Sequence, residues 1–149
     1  MKILRADKDD LRDILSLQHL AYQSEAKLLG NPDIPPLKQT LSDLQAEYDR
    51  KIFLKTTDDT GAIVGSVRYL LESDTVYIGK LIVNPAFQGQ GIGTKLLLEV
   101  EKLCPNKRYE LFTSNKSRRN ISLYERLGYK IFAVKPATET LTFVYLEKC

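Results

Sequence analysis

Residues 81–95 read LIVNPAFQGQGIGTK, an apolar run that passes into a glycine-rich bend. The apolar residues 81–83 predict the end of a buried strand, and a helix is predicted to begin near Gly91 or Ile92. The three glycines in residues 89–93 let the chain turn tightly between strand and helix. The first N–H groups of the helix would then point outward without partners, which suits a phosphate or pyrophosphate. The alternative is a bend without a ligand, in which Gly89 and Gly91 only reverse the chain and Gly93 only permits close packing.

Two common phosphate-binding motifs do not fit this bend. The dinucleotide fingerprint G-x-G-x-x-G requires a glycine at position 94, where the sequence has Thr94. The P-loop requires a glycine at position 88 and a lysine at position 94, and the sequence has Gln88 and Thr94. Any anion site here must therefore belong to another class.

Outward from the bend, hydrophobic periodicity predicts seven strands and four helices. The first helix follows Asp7 or Asp9, the second begins at Pro36, and the fourth ends before Gly128, a left-handed cap. The order predicts an α+β (mixed α/β) fold with a mostly antiparallel sheet, in one domain over residues 1–149. The predicted strands cover residues 2–6, 51–57, 63–72, 75–83, 108–113, 130–134 and 141–146, and the third helix covers residues 91–103.

The composition is that of an ordinary globular protein, with 43% hydrophobic and 28% charged residues. The 22 Lys and Arg against 19 Asp and Glu leave a net charge of +3, which is too small and scattered for dedicated nucleic-acid binding. No window approaches the roughly 18 consecutive apolar residues of a membrane span, and the charged N-terminal residues do not fit a signal peptide. We therefore expect neither a nucleic-acid nor a membrane partner.

The sequence offers few metal ligands. Its two cysteines, Cys104 and Cys149, and its one histidine, His19, do not stand at metal-binding spacing. No metal is therefore expected. Two reduced thiols in the cytoplasm are the simpler interpretation, and a disulfide between the cysteines is the alternative.

The glycine bend resembles the acyl-CoA-binding motif of the GNAT superfamily of N-acetyltransferases, V-x-P-x-x-Q-x-x-G-x-G. A second segment, residues 120–129, reads NISLYERLGY and is similar to a downstream signature of that family, which combines an Asn, a Tyr-Glu pair and a Gly before an aromatic residue. The predicted order of strands and helices is also the GNAT order, so the resemblance covers the whole chain. The residues that match the first motif are Val83, Pro85, Gln88, Gly91 and Gly93.

The resemblance implies that acetyl-CoA, as acyl-donor cosubstrate, lies in a V-shaped gap where parallel strands 4 and 5 splay apart. Backbone groups of Leu81 and Val83 would pair with the pantetheine arm, and the N–H of Leu81 or Ile82 would form an oxyanion hole for the thioester carbonyl. Gln88 stands where many relatives have Arg, so it brings a hydrogen bond but no charge. The implied cofactor-binding residues are Leu81, Ile82, Val83, Gln88, Gly89, Gln90, Gly91, Ile92, Gly93, Thr94 and Asn120.

The resemblance also implies catalytic roles. Asn120 and Tyr124 are four residues apart on a helix and share a face; in relatives the Asn touches the CoA arm and the Tyr donates a proton to the leaving thiolate. From the residues alone, Tyr124 as a half-buried structural aromatic is the alternative. Some relatives carry a basic Glu on strand 4, where this sequence has Tyr77. The remaining candidates for the general base are Glu72, Glu25, Glu47 and His19, and none is assigned.

The implied activity is acetyl transfer from acetyl-CoA to a primary amine of a small molecule, by direct attack in a ternary complex. The alternatives are a peptide or protein amine as acceptor, and an acyl-CoA-binding sensor domain without turnover. The last strands often form dimers in relatives, so residues 141–146 suggest a homodimer. The residues expected near the acceptor are Gln39, Tyr22 and Tyr48, and the basic residues that could meet either CoA phosphates or solvent are Lys80, Lys95, Lys116, Arg118 and Arg119.

Overall fold

In the computed structural model, which describes residues 2–149, seven strands form one continuous sheet. In chain order they are β1 (Ile3–Arg5), β2 (Ile52–Thr57), β3 (Ile63–Glu72), β4 (Thr75–Val83), β5 (Arg108–Ser114), β6 (Lys130–Pro136) and β7 (Thr142–Lys148). Their order in the sheet is β1-β2-β3-β4-β5-β7-β6. The β4–β5 pair is parallel and the other neighbouring pairs are antiparallel. The predicted mixed α/β fold with a mostly antiparallel sheet is confirmed.

Five α-helices flank this sheet where four were expected. They are α1 (Leu11–Leu29), α2 (Pro35–Lys38), α3 (Leu41–Tyr48), α4 (Ile92–Leu103) and α5 (Arg118–Arg126). The helix expected after Pro36 is interrupted at Gln39 and Thr40, which adopt extended backbone angles. Thr40 then caps α3 through reciprocal hydrogen bonds with Asp43. No helix within residues 2–149 is long and apolar enough to cross a membrane.

The sheet separates two hydrophobic cores. Leu11, Leu44 and Phe53 belong to the core beneath α1 and α3, whereas Leu54 and Leu96 belong to the core beneath α4 and α5. The successive residues Phe53 and Leu54 serve opposite cores because side chains alternate across a strand.

The two parallel strands part soon after they meet. Their pairing runs from Thr75 opposite Arg108 to Tyr77 opposite Glu110 and does not continue to the end of either strand. Beyond this point β4 stays paired with β3, and β5 stays paired with β7. The splayed parallel strands expected for strands 4 and 5 are therefore present, and the gap opens toward their carboxyl ends.

The backbone next to this gap is irregular and closely packed. The register between β3 and β4 shifts between Ser66 and Arg68, and Lys80, on the bulged segment of β4, has a φ of 44°. At Gly65, opposite the end of β4, an added Cβ would lie 2.9 Å from Cγ2 of Ile92. Glycine here lets the first turn of α4 approach β3 and so fixes the helix start beside the gap.

A buried ionic network lies between α1, α3 and β3. The guanidinium of Arg68 donates from Nη1 to Glu47 Oε1 at 3.0 Å and from Nη2 to Gln18 Oε1 at 2.7 Å, and it lies 4.5 Å above the Phe53 ring. Gln39 donates from Nε2 to Glu47. Burial opposes ionisation of Glu47, but the Arg68 charge and the Gln39 hydrogen bond dominate and lower its pKa to about 2.

We predict that Glu47 makes the free energy of unfolding depend on pH in acid. Because folding lowers its pKa from 4.5 to about 2, its contribution is complete above the first value and is lost as pH falls through that window. Glu47→Gln removes one partner of a buried pair and should cost about 3–5 kcal/mol at neutral pH. Denaturant unfolding at several pH values checks both effects.

The exposed variant Asp59→Asn is the matched control for this experiment. Its unfolding free energy should follow that of the unmodified protein across the acid range. An equal loss of stability with falling pH in Glu47→Gln and in the unmodified protein would contradict the assignment.

Candidate functional site

Two adjoining cavities occupy the gap between β4 and β5. The α1 cavity, of about 350 Å³, lies between α1, the segment 34–39 and the two strands. The bend cavity, of about 220 Å³, lies against the glycine bend and α5. The residues that line both cavities are Tyr22, Glu25, Leu81 and Asn120. These shared residues mark the place where one cavity passes into the other.

The glycine bend leaves the start of α4 open. Gly89 and Gly91 have φ values of 81° and 79°, a left-handed conformation that residues with a Cβ rarely adopt. Gly91 is the N-cap of α4, and no side chain caps this helix, in contrast to α3 with its Thr40 cap. The first N–H groups of α4 are therefore left for a ligand, and the helix dipole favours an anion there.

Ten of the eleven cofactor-binding residues predicted from the sequence line the bend cavity. Gln90 is exposed and does not line it. The predicted residues that do line the bend cavity are Leu81, Ile82, Val83, Gln88, Gly89, Gly91, Ile92, Gly93, Thr94 and Asn120.

Two arginines of α5 supply the positive charge that the bend itself lacks. Arg119 donates from Nη1 to Gln88 Oε1 at 2.7 Å, so a guanidinium lies beside the uncharged Gln88. Arg126 lines the same cavity and was not predicted; it follows Arg119 by two helical turns and so shares its face. The other basic candidates lie elsewhere: Lys80 lines the α1 cavity, and Lys95, Lys116 and Arg118 line neither.

Tyr124 of α5 lies in the wall of the α1 cavity and is 5% exposed. Burial raises the pKa of its hydroxyl well above the ordinary value, and the negative charge of Glu25 raises it further. The phenol is therefore held in its protonated form. One turn earlier on α5, Asn120 donates weakly from Nδ2 to Thr113 Oγ1 at 3.4 Å.

Glu25 stands where the two cavities meet. It is half-buried on α1, and its Oε1 accepts a hydrogen bond from Ser117 Oγ at 2.8 Å. Burial raises the pKa of Glu25 above its usual value, and the Ser117 hydrogen bond offsets part of the rise. A carboxylate in this state is a stronger base than one in water.

The other three candidate bases do not reach the cavities. Glu47 is held in the ionic network at a pKa of about 2, and Glu72 is exposed at the end of β3. His19 Nε2 lies 3.2 Å from the backbone oxygen of Gln39, a structural contact. Of the four candidates left by the sequence, Glu25 is the one that the structure places in the site.

Two of the three residues expected near an acceptor line a cavity, and one does not. Tyr22 and Gln39 line the α1 cavity, as expected, but Tyr48 does not. The hydroxyl of Tyr48 donates to the Ala6 backbone oxygen at 3.2 Å, and its ring packs 5.8 Å from that of Phe53. The prediction for Tyr48 is wrong because the apolar face of α3 is turned into the core.

The thiols and acidic side chains form no metal centre in the described part of the chain. Cys104 is buried and Cys149 is exposed, and both are free thiols. Within residues 2–149 there is no group of three or more His, Cys, Asp or Glu side chains that could hold a metal ion.

Comparison with known proteins links the chain to one family. Residues 11–129 match the model of the acetyltransferase (GNAT) family. The UPF0157 protein YqkA of Bacillus subtilis is 29% identical over 136 residues, which are 90% of this chain and 39% of that protein. This chain thus spans about two fifths of the length of that relative. Glucosamine 6-phosphate N-acetyltransferase of Trypanosoma brucei brucei is 24% identical over 126 residues, which are 76% of this chain and 86% of that protein.

A similar fold is found among solved structures. The protein yncA of Salmonella typhimurium, whose structure contains its cofactor acetyl-CoA, superposes with a TM-score of 0.76 and 20% sequence identity. The superposition covers 99% of this chain and 92% of that chain.

Proposed function

The chain belongs to the acetyltransferase (GNAT) family, and on that premise we propose that it transfers an acetyl group from acetyl-CoA to the primary amine of a small molecule. The observation that carries the proposal is the position of Glu25 and Tyr124. A desolvated carboxylate and a protonated phenol line the same α1 cavity, and the uncapped start of α4 lines the adjoining cavity. A base, an acid and a phosphate site are the three parts that such a transfer requires.

The described residues fit acetyl-CoA. The open start of α4, with Arg119 and Arg126 of α5, would hold its phosphates. The parted edge of β4, at Leu81 and Val83, has backbone groups free to pair with the pantetheine arm, because β5 has moved away. When bound, acetyl-CoA supplies the activated acyl carbon.

Glu25 and Tyr124 account for the proton transfers. A primary amine with a pKa of about 10 enters as an ammonium ion, and Glu25 takes one proton so that the nitrogen lone pair can attack the thioester carbon. The new N–C bond replaces the C–S bond, and Tyr124 donates its proton to the departing sulfur. The second nitrogen proton restores Tyr124, and Glu25 releases the first to solvent. One proton is thus released in each turnover.

The size of the α1 cavity supports a small acceptor. Its volume of about 350 Å³ is at the lower end of the range of roughly 300–1,000 Å³ found for small-molecule sites. The relative named for glucosamine 6-phosphate also acts on a small amine, by its name. A peptide acceptor would need an extended groove, and an acyl-CoA sensor would have no use for a base beside Tyr124.

We predict that acetyl-CoA binds with micromolar affinity and that Arg119→Met weakens this binding about tenfold or more, the value of one charge-assisted contact. Lys95→Met, on an exposed position of α4 outside both cavities, should leave the affinity unchanged. Isothermal titration with acetyl-CoA measures both variants. Absence of binding by the unmodified protein would overturn the proposed function. Binding of acetyl-CoA without release of the CoA thiol in the presence of any amine would support the alternative of an acyl-CoA-binding sensor domain.

We predict that Glu25→Gln lowers kcat by roughly 10²–10⁴-fold and removes the acidic limb of the pH profile of kcat/KM. Below its raised pKa, Glu25 is protonated and cannot act as a base, so activity should rise with pH through that value. Ser117→Ala removes a hydrogen bond that lowers the pKa of Glu25, so it should move the limb to higher pH.

Tyr124→Phe is the matched control for these pH profiles. It removes the proton donor, so kcat should fall while the acidic limb stays in place. A Glu25→Gln enzyme that keeps both its rate and its limb would exclude Glu25 as the base.

We also propose that the chain forms a homodimer through the outer end of its sheet. Phe112, Phe132, Phe143 and Tyr145 form a cluster of aromatic rings on β5, β6 and β7, with centroids 4.9–6.2 Å apart. Phe112 is 48% exposed and Phe132 is 41% exposed, which is unusual for such large apolar groups.

For this surface we predict that light scattering after gel filtration shows a dimer, and that Phe132→Glu yields a monomer because it places a charge in the interface. Leu4→Glu changes a similarly exposed apolar residue at the opposite edge of the sheet and should leave the dimer intact. A monomeric unmodified protein would overturn the proposal.

A further inference from the structure

The α1 cavity contains two ionisable side chains of opposite charge. Glu25 also lines the bend cavity, and Lys80 of β4 stands near the buried ionic network, whose charged groups Glu47, Arg68 and Lys51 act on it. The rest of the lining is largely apolar and includes Ile34, Leu111 and Phe143. A neutral apolar amine would leave Lys80 without a partner.

Lys80 is an unusual lysine. It is half-buried, and its ammonium makes no hydrogen bond and no ion pair within 4.0 Å in the part of the chain that the structure describes. By contrast, the neighbouring Lys51 pairs with Glu47 at 3.1 Å. Burial lowers the pKa of Lys80, the charge of Glu47 opposes this effect, and the charges of Arg68 and Lys51 add to it. A desolvated cation of this kind is costly unless an anion joins it.

The charges around Lys80 do not balance. Within residues 2–149, Glu47 is the one carboxylate whose charge acts on Lys80, and the charges of Arg68, Lys51 and Lys80 all act on that carboxylate. In the same part of the chain, the Nε of buried Arg68 has no hydrogen-bond partner. The surroundings of Lys80 therefore carry an excess of positive charge inside the fold, where bulk water screens it less.

The backbone at Lys80 strengthens the case for a ligand-directed side chain. Its φ of 44° lies in the left-handed region, which glycine adopts without strain and lysine does not. The strained residue sits on the bulged segment of β4, where that strand borders the cavity. Bulges beside binding sites commonly turn a side chain toward the ligand.

We propose that the acceptor of the acetyl group is a small amine that also carries an anionic group, a carboxylate or a phosphate, which Lys80 binds while Glu25 receives the ammonium. This inference rests on the proposed acetyltransferase function and adds the class of its acceptor. An anionic group at Lys80 and an ammonium at Glu25 would orient the acceptor, and the apolar lining of the cavity would contact its carbon skeleton. Lys80 acts here as a specificity-determining residue and takes no part in proton transfer.

Matched pairs of amines test the acceptor class. The carboxylate arm compares L-leucine with L-leucinamide, and the phosphate arm compares O-phosphoethanolamine with ethanolamine, with thiol release from acetyl-CoA as the readout. We expect kcat/KM at least tenfold higher for the anionic member in one arm, and the arm that shows it identifies the anion.

Lys80→Met should abolish this preference by lowering kcat/KM for the anionic amine at least tenfold, with the neutral amine unchanged and with acetyl-CoA affinity unchanged by titration. Lys80→Arg should retain part of it, and Lys38→Met, an exposed lysine outside both cavities, should retain all of it. Direct titration of the CoA-bound protein with the anionic amine should show the same loss in Lys80→Met without any turnover.

Equal rates for both members of each pair, or an equal loss for both in Lys80→Met, would overturn the acceptor class while leaving the acetyltransferase function in place. Turnover of neutral amines with none of the anionic ones would do the same. Failure of the protein to bind acetyl-CoA at all would instead overturn the proposed function, and this inference with it.

Discussion

The parting of β4 and β5 is the constraint on which the rest of the site depends. Backbone N–H and C=O groups that are removed from water must find partners, yet β4 is paired with β5 only from Thr75 to Tyr77. From there its second edge faces the two cavities. A ligand with its own amide groups is the natural partner for that edge. Because α1 and α5 both border this gap, Glu25 and Tyr124 meet there although they come from opposite ends of the chain.

The interruption between α2 and α3 places a polar side chain, Gln39, in the lining of the α1 cavity. A continuous helix from Pro36 would have kept Gln39 in a regular helical turn. The extended backbone at Gln39 instead lets its amide join Gln18 on one side and Glu47 on the other, while the residue also lines the α1 cavity. Removing one partner of a buried ion pair is costly, but replacing the whole pair by well-packed apolar residues is often neutral for stability. The network therefore matters more for the charge it brings beside the cavity than for the energy of the fold.

The sequence predicts features that are encoded within a few neighbouring residues, but not features that depend on contacts between distant segments. The glycine bend, the strand before it and the Asn120–Tyr124 face are each encoded within a few residues, and the structure brings them to one cleft. Glu25 could not be ranked, because its burial and its hydrogen bond to Ser117 join segments 92 residues apart. The absence of Arg at position 88 looked like a loss of charge, but the guanidinium of Arg119, on α5, lies beside Gln88. Tyr48 has the spacing of a substrate-facing residue, and only the packing of α3 shows that it is turned inward.

The proposal of Glu25 as the general base rests on electrostatics as much as on position. Tyr77, where some relatives carry a strand-4 Glu, lies within the paired part of β4 and is 41% exposed. A carboxylate there would be solvated, with a pKa near that of a free side chain. At position 25 the carboxylate is desolvated, and its charge also raises the pKa of Tyr124. Burial thus makes Glu25 more basic, and the charge of Glu25 keeps the phenol protonated. In the proposed reaction, uptake of the amine proton by Glu25 would remove that charge and lower the pKa of Tyr124, so the phenol would become a better donor as the thiolate forms.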